Sequence, residues 1–461
     1  MLFNSAVFLF LFLPITYVVF WAVRTKNSRY IWLTLTGYVF YGYWNPAFCL
    51  LMLFSTLVSY LAGLGFLRWD GTRQRRLLLV IPVAADLALL AWFKYADFAI
   101  GTWNWASGFM GRAPLEPLNI LLPIGISFYT FHTITYIVDA YRGTIRPTRN
   151  FWEFSCYVSL FSQLVAGPIV RFSELQADLE GIDHKDRRTY LDLGWSFFII
   201  GMAQKVLLAD TIASVIDPAL EDVTTLSSAS AWMCMLGYSY QLYFDFAGYS
   251  NMAVGLGYMF GMYIPQNFHS PYKALNPSDF WRRWHISLSR VLRDYLYIPL
   301  GGSKGSTWLT YRNLMITMLL GGLWHGAAWT FVIWGAYHGV LLSLYRRFGG
   351  AWDRLPELFQ RAGMFLLVVI GWVFFRAPTV HDAVTLLRAM FIPEPGTWPI
   401  GAAVLAVMLL MAGTIAHLGP NTFEMRHQWK PAAAAGLAAL LVLSLIRIYG
   451  ADNSPFLYFQ F

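Results

Sequence analysis

Charged side chains are scarce in this chain of 461 residues, where Asp, Glu, Lys and Arg together account for 13%. A water-soluble domain usually has about 25% charged residues, and apolar residues make up 57% of this sequence. Several soluble domains of this composition would lack the polar surface needed to cover their cores. A lipid bilayer removes that need, so the composition indicates an integral membrane protein.

Cysteine and long basic runs are also rare. Cys49, Cys156 and Cys234 lie far apart within apolar segments, and the chain has no CxxC pair. This pattern favours buried thiols over a disulfide framework or a zinc site, and we expect neither a metal nor a tightly bound cofactor. Because no nucleic-acid-binding motif accompanies the net charge of +8, we interpret that charge as loop charge that contacts membrane lipids, and we expect no nucleic-acid partner.

Long apolar segments recur along the whole sequence. A membrane-spanning helix needs about 20 mostly apolar residues, and the shorter segments Tyr30–Tyr43 and Tyr249–Met262 predict tilted spans or half-helices buried in protein. We predict an all-α polytopic transmembrane bundle of about eleven membrane helices, with re-entrant and interfacial helices, in a single domain over residues 1–461. The first segment has no basic region or cleavage site of a signal peptide, so it is expected to stay attached. The better candidate spans are Phe3–Val23, Ala47–Leu67, Leu77–Phe93, Leu118–Ile137, Leu191–Leu208, Ala229–Tyr243, Leu314–Leu344, Met364–Phe375, Ala402–Ala416 and Ala432–Ile446.

Arginine and lysine cluster after alternate spans, in segments 24–29, 68–76 and 142–149. Two spans separate each cluster from the next, so all three are predicted to share one side of the membrane. The positive-inside rule makes that side cytoplasmic and the N-terminus external, which is periplasmic in a bacterial inner membrane.

The segment Phe280–Tyr297, FWRRWHISLSRVLRDYLY, has the pattern of one basic amphipathic helix. Two interpretations of its arginines stay open: they bind lipid phosphates, or they bind an anionic cosubstrate such as the phosphates of coenzyme A. His285 falls on the apolar face of this helix, where a hydrogen-bonded core histidine is the plainer interpretation. The candidate donor-binding arginines are Arg282, Arg283, Arg290 and Arg293.

A second segment, LLGGLWHGAAWTFVIWG, places His325 and its neighbour Trp324 in apolar surroundings. Ionisable residues in membrane segments are costly and are functional candidates by default. A neutral buried imidazole can act as a general base near neutral pH, but a hydrogen bond that packs two helices explains it equally well. The same two interpretations apply to His338 further along the chain.

A third segment, YQLYFDFAGYSNM, places Asp245 among aromatic residues, which indicates a buried hydrogen bond or ion pair. Lys205 and Asp210 are five residues apart, off the favoured helical spacings of three and four. The spacing therefore argues against a direct pair between them and predicts ordinary charges near the end of a span.

These segments together resemble the membrane-bound O-acyltransferase family, in particular its bacterial alginate and cellulose O-acetylation branch. The matching stretches are LLPIGISFYTFHTITYIVDAYRG, LVAGPIVRF, QLYFDFAGYSNMAVGLGYMFG, DFWRRWHISLSRVLRDYLYIPLGGS, NLMITMLLGGLWHGAAWTFVIWGAYHG and SPFLYFQF. The resemblance implies a helical bundle around a tunnel, with His325 as the near-invariant catalytic histidine and His285 as a second conserved polar residue. Two positions depart from the branch: Ala247 stands where Ser is usual, and Asn251 where a second Asp is usual.

The function implied by the resemblance is transfer of acetyl groups from cytosolic acetyl-CoA across the inner membrane. The expected product is an O-acetylated exopolysaccharide of the alginate or cellulose type, reached through a periplasmic acetyltransferase partner. In this scheme His325 is the general base, and His285 orients the thioester or stabilises the oxyanion. Trp324, Asp245 and the four arginines are the substrate-binding candidates. The alternatives are transfer of D-alanyl or another acyl group from a carrier protein, and a non-catalytic component of polysaccharide or lipid transport.

Overall fold

The structure, a computed structural model, describes residues 1–165, 167–450 and residue 457. This part of the chain is helical and contains no strand, which confirms the predicted all-α class. In chain order the α-helices are α1 Leu13–Ala22, α2 Lys26–Gly42, α3 Phe48–Arg68, α4 Thr72–Leu90, α5 Ala96–Gly108, α6 Ile126–Arg142, α7 Phe151–Ser159, α8 Phe172–Glu180, α9 Leu191–Ala203, α10 Asp210–Ala219, α11 Ser228–Met259, α12 Pro277–Arg283, α13 Ile286–Leu292, α14 Thr307–His325, α15 Trp329–Trp352, α16 Glu357–Arg376, α17 Val380–Phe391, α18 Ala402–His417 and α19 Pro431–Gly450.

Several of these helices are long and apolar enough to cross a membrane, as predicted. By length and composition, the described residues contain five such helices, and two apolar helices that are shorter, Phe8–Ala22 and Ala402–His417. π-Helical turns join α4 to α5 and α9 to α10. The predicted total of about eleven spans stays a prediction. The five longer helices are Phe48–Arg68, Thr72–Gly108, Leu191–Ala219, Glu357–Arg376 and Pro431–Gly450.

Four predicted segments have wrong boundaries, each for a local reason. The span Leu118–Ile137 starts too early, because Gly125 adopts a left-handed φ of 81° and α6 begins only after it. The two spans predicted on either side of Asp245 form one helix, α11, in which that carboxylate is buried. The span Leu314–Leu344 is in fact two helices, α14 and α15, which are separated by non-helical residues 326–328.

Backbone contacts divide the chain into two compact units, one of residues 1–195 and 253–265 and the other of residues 196–252 and 266–461. The single domain expected from the sequence therefore stays a prediction. Each unit is described by itself below.

Within the first unit, the three basic clusters lie at one end. The side chain of Asn150, which follows the third cluster, donates to the side chain of Asn27 in the first cluster at 2.7 Å. Arg75 of the second cluster donates to the carbonyl of Tyr141 beside the third, at 3.0 Å. These contacts agree with the shared side predicted from the charge pattern, while the assignment of that side to the cytoplasm stays a prediction.

Within the second unit, α14 and α15 form a tightly packed antiparallel hairpin. A Cβ atom added to Gly335 would collide with the backbone carbonyl of Met318, and one added to Gly322 would collide with the carbonyl of Phe331. Such close backbone contact is possible only for glycine. The hairpin therefore fixes the position of His325, the last residue of α14.

Candidate active site

His325 lies in an aromatic enclosure at the turn of the α14–α15 hairpin, with 3% of its surface exposed. The α14 helix ends there because Gly326 adopts an extended backbone, and a Cβ atom at Gly326 would collide with the Phe331 ring. Trp334 of α15 stands perpendicular to the imidazole with ring centres 5.1 Å apart, and Phe375 of α16 lies at 5.4 Å. Three helices thus hold the predicted catalytic histidine in a low-dielectric environment.

His285 and Trp324, two of the predicted site residues, both lie close to His325. The ring centres of His285 and His325 are 6.2 Å apart. The Trp324 ring lies 5.0 Å from His325 and 5.9 Å from His285. His285 is fully buried, and Phe246 of α11 contacts its ring at 4.7 Å.

The single helix predicted over Phe280–Tyr297 is wrong. It breaks into α12 and α13 at Trp284, which is extended, and at His285, which has a left-handed φ of 43°. The cause is a long-range contact that the helical pattern does not contain: the side-chain oxygen of Asn267 accepts hydrogen bonds from the backbone N–H of Ser287 at 3.1 Å and from its hydroxyl at 2.9 Å. Asn267 thereby caps the start of α13 from a distant loop.

The same Asn267 oxygen fixes the proton position on His285. It lies 3.2 Å from the Nδ1 atom of His285, and because this oxygen is an acceptor, Nδ1 must carry the hydrogen. In the neutral ring, Nε2 is then an acceptor, and Nε2 is buried without a hydrogen-bond partner in the described part of the chain. His285 therefore presents a lone pair to its surroundings.

A cleft of about 350 Å³ lies beside these residues in the second unit. Three of the four predicted arginines, Arg282, Arg290 and Arg293, line it. Arg282 and Arg293 have 71% and 60% of their side-chain surface exposed, so guanidinium groups stand at a mouth whose walls are mainly apolar. The other lining residues are Ser278, Trp281, Ile286, Ser289, Leu292, Tyr297, Leu314, Thr317, Met318 and Leu342.

The fourth arginine, Arg283, does not line this cleft. Its Nε atom donates to Asp279 at 3.0 Å, and its Nη1 atom donates to the carbonyl of His269 at 3.3 Å. The break in the helix after Arg283 separates it from Arg290, with which the single-helix interpretation had grouped it.

Asp245 is held in a buried ion network. Its carboxylate lies 2.8 Å from the ammonium of Lys205, and it accepts a hydrogen bond from the backbone N–H of Leu457 at 2.9 Å. Lys205 also contacts Asp210 at 2.6 Å, and all three charged side chains are at most 4% exposed.

The sequence argument against a Lys205–Asp210 pair is therefore wrong. Residues 204–209 form a π-helical turn, in which the backbone bonds join residues five apart, so the ordinary helical spacing rule does not apply there. Both residues are core residues and not charges at the end of a span.

Two elements of the site were missed in the sequence. Asn267 precedes α12 in a loop, and nothing local connects it to His285, 18 residues later. Trp334 lies nine residues after His325 and contacts it because the chain turns back into the α14–α15 hairpin, which the sequence did not predict. The resemblance stretch SPFLYFQF lies outside the described residues except for Leu457, and LVAGPIVRF is described except for Ala166.

Comparisons with known proteins agree on one family. The model of the membrane-bound O-acyltransferase family matches residues 140–375. A probable alginate O-acetylase AlgI of Pseudomonas putida is 40% identical over 499 aligned positions that cover all of both chains. A peptidoglycan O-acetyltransferase of Helicobacter pylori is 38% identical, over 85% of this chain and 80% of that protein. A teichoic acid D-alanyltransferase of Bacillus subtilis is 31% identical over 50% of this chain and 61% of that protein.

Proposed function

This chain belongs to the membrane-bound O-acyltransferase family, and we propose that it moves acetyl groups from cytosolic acetyl-CoA across a bacterial inner membrane. It is a membrane-embedded O-acyltransferase. In our proposal the acetyl group serves O-acetylation of an exopolysaccharide, alginate or cellulose in type, through a periplasmic acetyltransferase partner. The relatives that act on alginate and peptidoglycan support a polysaccharide as the final acceptor.

One observation carries the proposal: two buried histidines and an arginine-lined cleft share the same helices. The cleft wall includes Met318 of α14, and His325 ends that helix seven residues later, a distance of about 10 Å along the axis. A donor whose phosphates contact the arginines could thus extend its thioester along α14 toward the imidazoles. Guanidinium groups bind phosphates through charge-assisted hydrogen bonds.

The exposed arginines around the cleft support a cytoplasmic mouth. In the antiparallel hairpin, the start of α14 and the end of α15 lie at the same end, and the cleft residues Leu314 and Leu342 lie toward it. Arg346 and Arg347 are exposed in the last turns of α15 at that end. Arginine and lysine are enriched on the cytoplasmic side of membrane proteins.

The chemistry moves one proton in two transfers. The acceptor hydroxyl attacks the thioester carbonyl carbon while His325 takes its proton, the C–S bond breaks, and the released thiolate of coenzyme A receives the proton. The hydroxyl has one hydrogen, which His325 takes, so the Nε2 lone pair of His285 is left to accept a hydrogen bond from another donor of the bound substrate, such as an amide N–H. A neutral His285 cannot donate to the oxyanion from Nε2, because its hydrogen is on Nδ1.

The proposed donor is tested in proteoliposomes that contain the purified protein. We expect release of free thiol and transfer of label from radioactive acetyl-CoA to a hydroxyl acceptor on the opposite side of the membrane. D-Alanyl carrier protein should be inactive in the same preparation. Transfer from the carrier protein and none from acetyl-CoA would contradict the proposal, and would favour the activity for which the Bacillus subtilis relative is named.

Removing two cleft arginines should weaken donor binding specifically. For the Arg290→Gln/Arg293→Gln double variant we expect the KM for acetyl-CoA to rise about tenfold, with kcat within about twofold of wild type, because charge-assisted bonds to phosphate are lost far from the reacting atoms. Thiol-release kinetics in detergent would measure both constants.

Arg283→Gln is the control: it removes one positive charge, where the double variant removes two, from the same segment but from a residue paired with Asp279 outside the cleft. Its KM should stay near wild type. An equal rise in KM for both variants would show that net charge, and not the cleft, attracts the donor. An unchanged KM, with altered dependence on anionic lipid, would favour the lipid-binding interpretation.

A further inference from the structure

A third histidine of the second unit, His338 of α15, is buried with only 1% of its surface exposed. Neither of its ring nitrogens has a hydrogen-bond partner among the described residues. The indole rings of Trp281 and Trp334 lie 5.2 and 4.9 Å from the His338 ring, and the N–H groups of both indoles are also buried without an acceptor in this part of the chain. Buried polar groups without partners cost free energy, so three neighbouring side chains of this kind call for an explanation.

Packing alone does not explain the imidazole. The Phe280 ring stacks on His338 at 6.0 Å with an angle of 8° between the planes, a contact that two phenyl rings would make equally well. An apolar residue at position 338 would fill the same space without burying two nitrogen atoms. The nitrogen atoms therefore point to recognition of something polar.

The position of these three residues indicates what they recognise. Leu342, His338 and Trp334 follow one another at intervals of four along α15, so they lie on one face of the helix. Leu342 lines the arginine cleft at one end of this stripe, and Trp334 contacts His325 at the other. Trp281 lines the cleft and also contacts Trp334 at 5.8 Å. We call Trp281, Trp334 and His338 the aromatic collar; they lie between the cleft and His325.

We propose that the aromatic collar binds the amide-bearing arm of the thioester donor. This inference rests on the function proposed above. Each amide offers a carbonyl acceptor and an N–H donor, whereas an indole can only donate and a neutral imidazole can do both. The pantetheine arm of coenzyme A, which joins the phosphates to the thioester, contains two amides, so the collar supplies matching donors and an acceptor along its path.

The test compares a donor that has the arm with one that lacks it. For His338→Phe we expect the KM for acetyl-CoA to rise about three- to tenfold, the usual effect of losing one hydrogen bond, with kcat unchanged. The kinetics with phenyl thioacetate, a thioester without amides, should not change. His338→Asn keeps a donor and an acceptor and should restore a KM close to wild type.

A binding measurement separates failure of this inference from failure of the proposed function. Acetyl-pantetheine carries the arm without the phosphates of coenzyme A. Its binding should weaken three- to tenfold in His338→Phe and be insensitive to Arg290→Gln/Arg293→Gln. If acetyl-pantetheine binds in this way but the protein transfers no acetyl group, the collar as a binding site is supported and the proposed acetyl-transfer function is contradicted.

His417→Phe is the matched control, because His417 also packs among aromatic rings of this unit but pairs with the hydroxyl of Tyr240 at 3.0 Å. It should leave the preference between the two donors unchanged. Equal losses with acetyl-CoA and phenyl thioacetate in His338→Phe would show that His338 only packs. If His338→Phe leaves the affinity for acetyl-pantetheine unchanged, the proposal that the collar binds the donor arm is wrong.

Discussion

Replacing His325 by glutamine is expected to lower acetyl transfer about 10²–10⁴-fold, the usual contribution of a positioned general base. Glutamine has a similar reach and can hydrogen-bond, but it cannot take a proton from the attacking hydroxyl. The protein should still fold, because the glycine contacts that close the α14–α15 hairpin do not involve the imidazole. The measurement is label transfer from acetyl-CoA in proteoliposomes, normalised to the amount of folded protein in the membrane.

The control for this variant is His417→Gln, which changes a half-buried histidine of the same unit outside the aromatic enclosure of His325. It should keep at least about half of the wild-type rate, since it removes one ordinary hydrogen bond at a distance from the reacting atoms. Acetyl transfer near the wild-type rate by a well-folded His325→Gln protein would remove His325 from the role of base. His285, whose Nε2 is an acceptor, would then be the remaining imidazole for that role.

The local sequence around His325 marked it as a candidate site residue but left catalysis and helix packing open, and only the family resemblance favoured catalysis. Placing an ionisable residue in an apolar membrane segment costs free energy, so such a residue usually has a function or a hydrogen bond to another helix. The glycines around it also predict close contact between helices. The structure contains that contact at Gly322 and Gly335. What the sequence could not supply is the turn after His325, because the apolar run continues through it and hydropathy does not distinguish one long helix from a hairpin.

His285 shows the opposite case. The helical pattern of Phe280–Tyr297 is strong, yet Asn267 interrupts it through hydrogen bonds to Ser287. A tertiary contact of this kind overrides local preference, and only the three-dimensional arrangement can reveal it. The break shapes the candidate site, since the His285 ring lies 6.2 Å from His325 and Arg283 is separated from the cleft arginines.

The two departures from the family pattern also acquire a local explanation. Asn251 donates to the side chains of Gln204 and Thr422 at 2.7 and 2.9 Å, so it joins α11 to the π-helical turn and to the loop before α19. Ala247 is 3% exposed in the same helix.

The buried ion network gives the second large prediction, a loss of stability on replacing Lys205 by methionine. The change leaves Asp210 and Asp245 buried at 4% and 1% exposure without their shared cation. Removing one partner of a buried ion pair typically costs about 3–5 kcal/mol, which for a chain of 461 residues corresponds to a fall in Tm of about 3–5 °C. Thermal unfolding of the purified protein in detergent, followed by size-exclusion chromatography, would measure it.

Two further proteins show whether charge is the cause. In Lys205→Met/Asp210→Asn/Asp245→Asn no charge remains, and because a neutral polar set avoids an unpaired buried carboxylate, most of the lost stability should return. Lys185→Met removes a similar pair, Lys185–Asp178 at 2.5 Å, but its side chains are 24% and 19% exposed, and a more exposed pair contributes at most about 1 kcal/mol.

If Lys205→Met and Lys185→Met lower Tm equally, burial is not what makes the network important. If the triple variant is as unstable as Lys205→Met, the loss comes from packing of the lysine stem. Recovery in the triple variant alone would identify the shared cation as the element that stabilises the π-helical turn, α10 and α11 against one another.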